Sequence, residues 1–408
     1  MGESSAFAAV EAVARNSYGR LVAYLAARSG DVAGAEDALS DAFGTALQHW
    51  PVNGVPQKPE AWLLHAARNR LIDSARRAQV RKKYETVLQL AGEADDVATM
   101  NDVFPDERLK LLFVCSHPAI DIAARTPLML QTVLGLDAAC IASAFLVSPA
   151  AMEQRLVRAK NKIREAGIPF HVPELPEWAE RLSFVLDAIY AAYTTGWENV
   201  VDDGSTHHAL AGDAVAIART LVQLVPNEPE VHGLLALMLH CEARSEARHN
   251  CAGEFVPLDR QDTTLWSRSL IDEAERNLRI ASGLNRMGRY QIEAAIQSIH
   301  AHRAMSGVID WPEIVLLYEG LVRITPTIGV QVGRAVALAE SGDILAGFAA
   351  LDEISADRAG NYQPWWAARG HLLQLLGRVG EASDAFERAA SSTDDPALRT
   401  HLLARARP

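Results

Sequence analysis

Apolar residues recur at steps of three and four along almost all of this 408-residue chain, while period-two alternation is nearly absent. A chain so patterned must bury helical stripes against one another, so the expected fold is all-α. Helices are predicted near Phe7 to Arg28, near Val32 to His49 and from Ala61 onward. Between the last two lies WPVNGVPQKPE, whose three prolines and one glycine predict a loop. Apolar residues make up 49% of the chain and aromatics only 6%, enough for several helical cores. No apolar run approaches the roughly 20 residues needed to span a bilayer. The opening MGESSAFAAVEAVARN lacks the charged-then-apolar order of a secretory signal, so a cytoplasmic location and no membrane partner are expected. Cys115, Cys140, Cys241 and Cys251 show no CxxC pairing, which predicts reduced, mostly buried thiols.

Charge is partitioned along the chain. Residues 1–169 hold 19 Lys or Arg and 19 Asp or Glu, whereas residues 170–408 hold 20 Arg, no Lys and 32 acidic residues. The whole net charge of −12 therefore sits in the second part. An acidic surface repels DNA phosphates, so any nucleic-acid function belongs to the first part. Within it, Lys58 to Glu85 carries eight Lys or Arg against three Asp or Glu. Read as a helix, Leu63, Ala67, Leu71, Ala75 and Ala78 form the packed stripe of AWLLHAARNRLIDSARRAQVRKK, and Asn69, Asp73 and Arg76 fall on the opposite face, flanked by Arg68 and Arg77. A tryptophan-led helix that turns basic can grip nucleic acid, or can be a solvated face of an ordinary helix.

Beyond it, AGEADDVATMNDVFPDE carries six acidic residues and no basic ones and reads as an exposed linker. A helix–turn–helix pattern follows. Asp137 can cap AACIASAF, Ala142 is small enough for a close helix crossing, and Leu146 and Val147 make the turn. Ser148 can cap the next helix with Pro149 at its first position, where a missing N–H costs nothing. Met152, Leu156, Ala159 and Ile163 then face inward, leaving Gln154, Arg155, Arg158, Lys160 and Lys162 outward on a candidate recognition helix. From Pro173 the pattern is of paired helices with short loops. Gly342-Asp343 and Gly377-Arg378 lie 35 residues apart and align Gly347 with Ala382, Ala350 with Ala385 and Leu351 with Phe386. That period is close to the roughly 34 residues of a tetratricopeptide repeat, an array that usually serves as a protein-binding surface.

Two basic helices separated by an acidic linker, the first preceded by AEDALSDAF, resemble an RNA polymerase sigma factor of the extracytoplasmic function type, in the sigma-70 family. Ala35 to Phe43 is similar to that family's core-binding helix, AWLLHAARNRLIDSARR to its −10 element helix, and LDAACIASAFLVSPAAMEQRLVRAKNKIR to its −35 element helix–turn–helix. GLLALMLHCEAR, PLDRQDTTLW, RYQIEAAIQSIHA, DWPEIVLLYEGL and GRAVALAE resemble the tetratricopeptide-like extension of one subgroup. The resemblance implies a sigma region 2 over residues 1–90, an acidic linker over 91–105, a sigma region 4 over 106–169, a helical extension over 170–285 and tetratricopeptide-like repeats over 286–408.

What the resemblance implies can be set out residue by residue. Core RNA polymerase, through its β′ clamp helices and β subunit, and promoter DNA would be the partners, and a regulatory protein could bind the C-terminal helices. Glu36, Asp37, Asp41 and Phe43 would form the core-binding helix face, with Leu39 and Phe43 holding the helix in its domain. The loop from Val52 to Pro56 would receive a flipped −10 base, with Asn53 as its best local donor and acceptor. Trp62, Arg68, Asn69, Arg76 and Arg77 would hold the melting strand. Ser148, Gln154, Arg155, Arg158 and Lys162 would contact the −35 element. Ala151 stands where threonine is common in the family, Glu153 where lysine is common, and Thr194-Thr195-Gly196-Trp197 replaces the subgroup's Asn-Glu-Gly-Tyr.

No catalytic constellation is present: no Walker loop, GxSxG, HExxH or GxGxxG following a strand. His240, Cys241, His249 and Cys251 lack a standard zinc spacing, and neither a metal nor a cofactor is expected. Asp259, Gln261, Asp262 and Trp266 match the subgroup, with the acidic residues serving as caps. The competing reading is a helix–turn–helix regulator with a C-terminal sensor or protein-interaction domain, acting without polymerase; it leaves the Glu36 to Asp41 helix and the first basic helix without a role.

Overall fold

The computed structural model describes residues 2–79, 106–145, 147–174, 177–198 and 206–407; the side chains at 2–4, 77–79, 143–144, 179, 197–198 and 206–209 are outside the description. The acidic linker, Leu146 and the side chains of Arg77 and Ala78 therefore lie outside the description. Among those described, every extended element is helical, and the one β-bridge joins His249 to Phe255. No described helix is long and apolar enough to cross a membrane.

The chain divides into two units. The first comprises Met1–Trp197 and Ser205–Ile217. Its helices α1 (Gly2–Ser29), α2 (Val32–Asn53) and α3 (Pro59–Gln79) pack together. Asp31 caps α2 by accepting from the Gly34 N–H at 3.1 Å, and the stripe Val32, Ala35, Leu39, Ala42, Ala46 and Trp50 is buried. Leu63 and Ala67 of α3 are fully buried, while Leu71 and Ala75 are half-buried. The Ser17 hydroxyl donates to the Glu60 carboxylate, tying α1 to α3.

One expectation needs correcting here. Helix α2 does not stop before Pro51 but carries it internally and ends at Asn53, with Gly54 at φ 82°. A proline in a last turn removes a single backbone hydrogen bond, and burial of Trp50 on the preceding turn holds the helix through it. Trp50 meets the ring of Trp62 edge-on, centroids 5.6 Å apart.

Helices α4 (Arg108–Cys115), α5 (Ile122–Thr132), α6 (Ala138–Ala144) and α7 (Pro149–Ala166) follow. Their ends use the expected caps: Asp137 Oδ1 accepts from the Cys140 N–H at 2.7 Å, and Ser148 Oγ from the Ala151 N–H at 3.3 Å. Gly167, at φ 59°, closes α7 in a left-handed conformation that glycine adopts without strain. The inward stripe Met152, Leu156, Ala159 and Ile163 is buried, and Ala142 is 0% exposed, as a close crossing requires. Gly19 of α1 approaches the Val133 carbonyl beyond α5 so closely that a Cβ there would sit 1.9 Å from the oxygen.

Helix α8 (Trp178–Glu198), which the sequence groups with the C-terminal extension, packs in this first unit. Its Trp178 ring lies 4.6 Å from that of Phe113, and Arg125 stacks on Phe184 at 4.9 Å. Asp213, early in α9 (Thr206–Leu224), pairs at 3.0 Å with the buried Arg108, which Asp106 also holds at 2.8 Å. Burial opposes the Arg108 charge, and the two carboxylates outweigh it and raise its pKa.

The second unit, Glu198–Gly204 and Ala218–Pro408, contains α10 (Pro229–Glu242), α11 (Arg268–Gly283), α12 (Arg289–Ser306), α13 (Trp311–Ile324), α14 (Ile328–Glu340), α15 (Ile344–Asp352), α16 (Ala356–Ala359), α17 (Gln363–Leu375), α18 (Val379–Ser391) and α19 (Pro396–Ala406). The pairs α14–α15 and α17–α18 are hairpins turned at Gly342 and Gly377, and Leu351 and Phe386, aligned by the 35-residue spacing, are both 0% exposed. Asp262 caps a short turn by accepting from the Thr264 N–H at 2.9 Å. The cysteines depart from expectation: Cys115 is buried and Cys241 half-buried, but Cys140 and Cys251 are exposed.

Candidate nucleic-acid interface

Three helices of the first unit carry the residues singled out by sequence. On α2, Asp37 and Asp41 are exposed and Phe43 is half-buried. Asp41 accepts from Arg70 of α3 at 2.7 Å, and Arg70 also donates to Thr45 at 3.1 Å. This contact between α2 and α3 had no local signal in the sequence. Glu36 behaves differently from its acidic neighbours.

Glu36 is turned into the contact between α2 and α7, where its carboxylate pairs with Lys160; the two side chains are only 13% and 12% exposed. Arg164 of α7 approaches Asp31, the cap of α2, at 3.6 Å. The expectation that Lys160 points outward with the other cations of α7 is thus corrected. Its position, one residue beyond the buried Ala159, directs it toward α2, and Glu36 is the acid that meets it. Burial pushes the Glu36 carboxyl above its ordinary 4.5, with Lys160 pulling the other way, and Oε1 has no hydrogen-bond partner among the described residues. Burial, with Glu36 and Asp37, likewise raises the Tyr18 phenol, and burial lifts the Cys115 thiol to about 12.

On α3, Asn69, Asp73 and Arg76 are exposed on the face opposite the buried stripe, and Arg68 is half-buried. Asn69 Nδ2 lies 3.1 Å from His65 Nε2. Trp62 is half-buried against Trp50, so part of its ring serves the core. Asn53 is not in a loop: it closes α2, is exposed, and lies 3.3 Å from His49 Nδ1.

On α7, Gln154, Arg158 and Lys162 are exposed and Arg155 is half-buried. Arg155, Arg158 and Lys162, at steps of three and four, line one open groove of about 480 Å³ with Asp121, Ala123 and Ala124 at the start of α5. Arg155 donates to the Ala123 carbonyl at 3.4 Å and Arg158 to its own helix at Gln154, contacts that leave further guanidinium donors on each. The Ser148 hydroxyl is committed to its cap. The arrangement converges three cationic side chains, with Asp121 beside them, on one groove.

Residues 14–81, which span most of α1 and all of α2 and α3, match the model of sigma-70 region 2. The chain carries a region 2 of the sigma-70 family. Residues 181–282 match a family of unknown function (DUF6596). An uncharacterized protein of Rhizobium meliloti (strain 1021) is 40% identical over 364 residues, 87% of this chain and 85% of that protein, and the two share a family. No solved structure matches. A sigma-70 region 2 supports a role in transcription initiation, with core RNA polymerase and promoter DNA as the partners it implies.

Proposed function

We propose that this protein is an alternative sigma factor of the extracytoplasmic function type, and that its C-terminal helices regulate its activity through a protein partner. Asp37 and Asp41 take the β′ clamp helices of core polymerase, and Glu36 joins them once α7 leaves α2. Helix α3 holds the strand being opened at the −10 element through Arg68, Asn69, Arg76 and Arg77. The groove of Arg155, Arg158 and Lys162 takes the −35 duplex while α7 enters the major groove, Gln154 being exposed for base edges. Region 4 of the family also meets the β subunit, and residues 106–169 fill that place in the proposal.

The observation that carries this reading is the coincidence of the region 2 match with a three-helix unit whose last helix buries Leu63 and Ala67 and leaves Asn69, Asp73 and Arg76 exposed. Its test is permanganate footprinting of a promoter with reconstituted holoenzyme. Reactive thymines at the −10 element are expected with the wild-type chain. They should be lost with R68A/R76A/R77A, and transcription by that variant should return on a pre-melted promoter. Loss that persists on the pre-melted template would remove α3 from strand opening.

A further inference from the structure

The second unit holds an open cleft of about 750 Å³, within the range of roughly 300–1,000 Å³ that suits small organic ligands. Its wall combines the apolar faces of Phe255 and Trp311 with Arg260 and Arg405, and Asp259 and Glu340 also line it. Cations gathered on an apolar wall are unexpected here, because residues 170–408 carry 32 acidic side chains against 20 arginines. Their partners explain how they are held.

Arg405 lies over the Phe386 ring at 4.5 Å and donates through Nη2 to Gln374 Oε1 at 2.6 Å and to His371 Nδ1 at 3.1 Å. Arginine has only donors, so His371 Nδ1 must be the acceptor and its proton sits on Nε2, which donates to Glu340 at 2.7 Å. This relay fixes the guanidinium while spending only Nη2. Nε and Nη1 have no partner among the described residues. Arg260, on an exposed turn, lowers the pKa of Arg405 in addition to the larger effect of burial, with Asp259 opposing, so the two guanidiniums stand near enough to repel each other. On the same wall, burial holds the His300 imidazole neutral with a pKa of about 4, and its buried Nδ1 has no hydrogen-bond partner among the described residues.

We propose that this cavity binds a small organic carboxylate, its anionic head on Arg405 and Arg260 and its apolar body against Phe255 and Trp311. A carboxylate satisfies the unused donors of Arg405 and cancels the repulsion between the two arginines. The volume and the aromatic walls fit a small molecule.

The test is isothermal titration calorimetry of the full-length chain with indole-3-acetate, 3-phenylpropionate and octanoate, each beside its neutral amide, and with a short peptide ending in a free α-carboxylate. The expected result is saturable binding of at least one small carboxylate, its amide binding at least about tenfold more weakly, a loss of about 1.4 kcal/mol or more. R260Q and R405Q should each cost at least a similar factor; Arg260 is exposed, so R260Q keeps the wild-type melting temperature even if R405Q does not. Equal binding of acid and amide, wild-type affinity in R260Q, binding of the peptide alone, or no saturable heat below about 10 mM would each overturn the proposal.

Discussion

Lys160 shows how one residue decides what a helix can present. It carries the same charge as Lys162 two positions on, yet it neutralises Glu36 between α2 and α7 while Lys162 lines an open groove. Removing one partner of a buried pair leaves the other desolvated, so Lys160→Met should cost about 3 kcal/mol at neutral pH by denaturant unfolding. The pH dependence has a definite sign. A carboxyl whose folded pKa is raised contributes stability below its unfolded value and loses it as pH rises through the folded value. Without Lys160 the Glu36 pKa rises further, so the deficit of Lys160→Met should shrink as pH falls toward 4.5; a deficit constant with pH would show that Glu36 is not the group left unpaired. Asp37 is exposed and outside this contact, so Asp37→Lys should weaken core polymerase binding at least about tenfold in a fluorescence titration, with unchanged melting. Unaltered affinity would take Asp37 out of the interface.

Among the elements, those whose form depends on neighbours in sequence were legible and those that depend on distant packing were not. The caps at Asp137 and Ser148 and the stripe from Met152 to Ile163 follow from residues a few positions apart. The end of α2 departs from what Pro51 alone predicts because Trp50, beside it, is held by Trp62 from the next helix. Asn53 consequently belongs to a helix end, and Gly54, at φ 82°, turns the chain after it. Trp62→Ala should destabilise the unit by about 3 kcal/mol, so its effect on promoter opening is to be read only at temperatures where the variant is folded. On α7, the cationic groove predicts a salt effect rather than a purely sequence-specific one. Replacing Arg155, Arg158 or Lys162 by alanine should each reduce the slope of log affinity against log salt by up to about 0.9 on duplex −35 DNA. A slope unchanged in all three would mean that the groove does not receive phosphate.

At the scale of the whole molecule, the charge partition does not coincide with the division by packing. Helix α8 and the start of α9 lie beyond the last lysine, yet Trp178 packs on Phe113 and Asp213 holds Arg108 within the first unit. Such contacts span tens of residues and leave no periodic trace, and the same is true of the Arg405, His371 and Glu340 relay. They also dictate where the chain can be cut. A chain ending at Asn227 keeps both contacts, whereas one ending at Pro173 loses them. If the second unit regulates activity, the Asn227 truncation should alter promoter output severalfold in either direction while still binding core polymerase; unchanged output would remove that role. The central claim, that this chain directs core RNA polymerase to promoters, is tested most directly by transcription from a genomic template with core polymerase alone and with the full-length chain added, mapping every start site. The account predicts new start sites that share −35 and −10 elements and vanish with Asp37→Lys and with R155A/R158A. Start sites identical to those of core polymerase alone would contradict it.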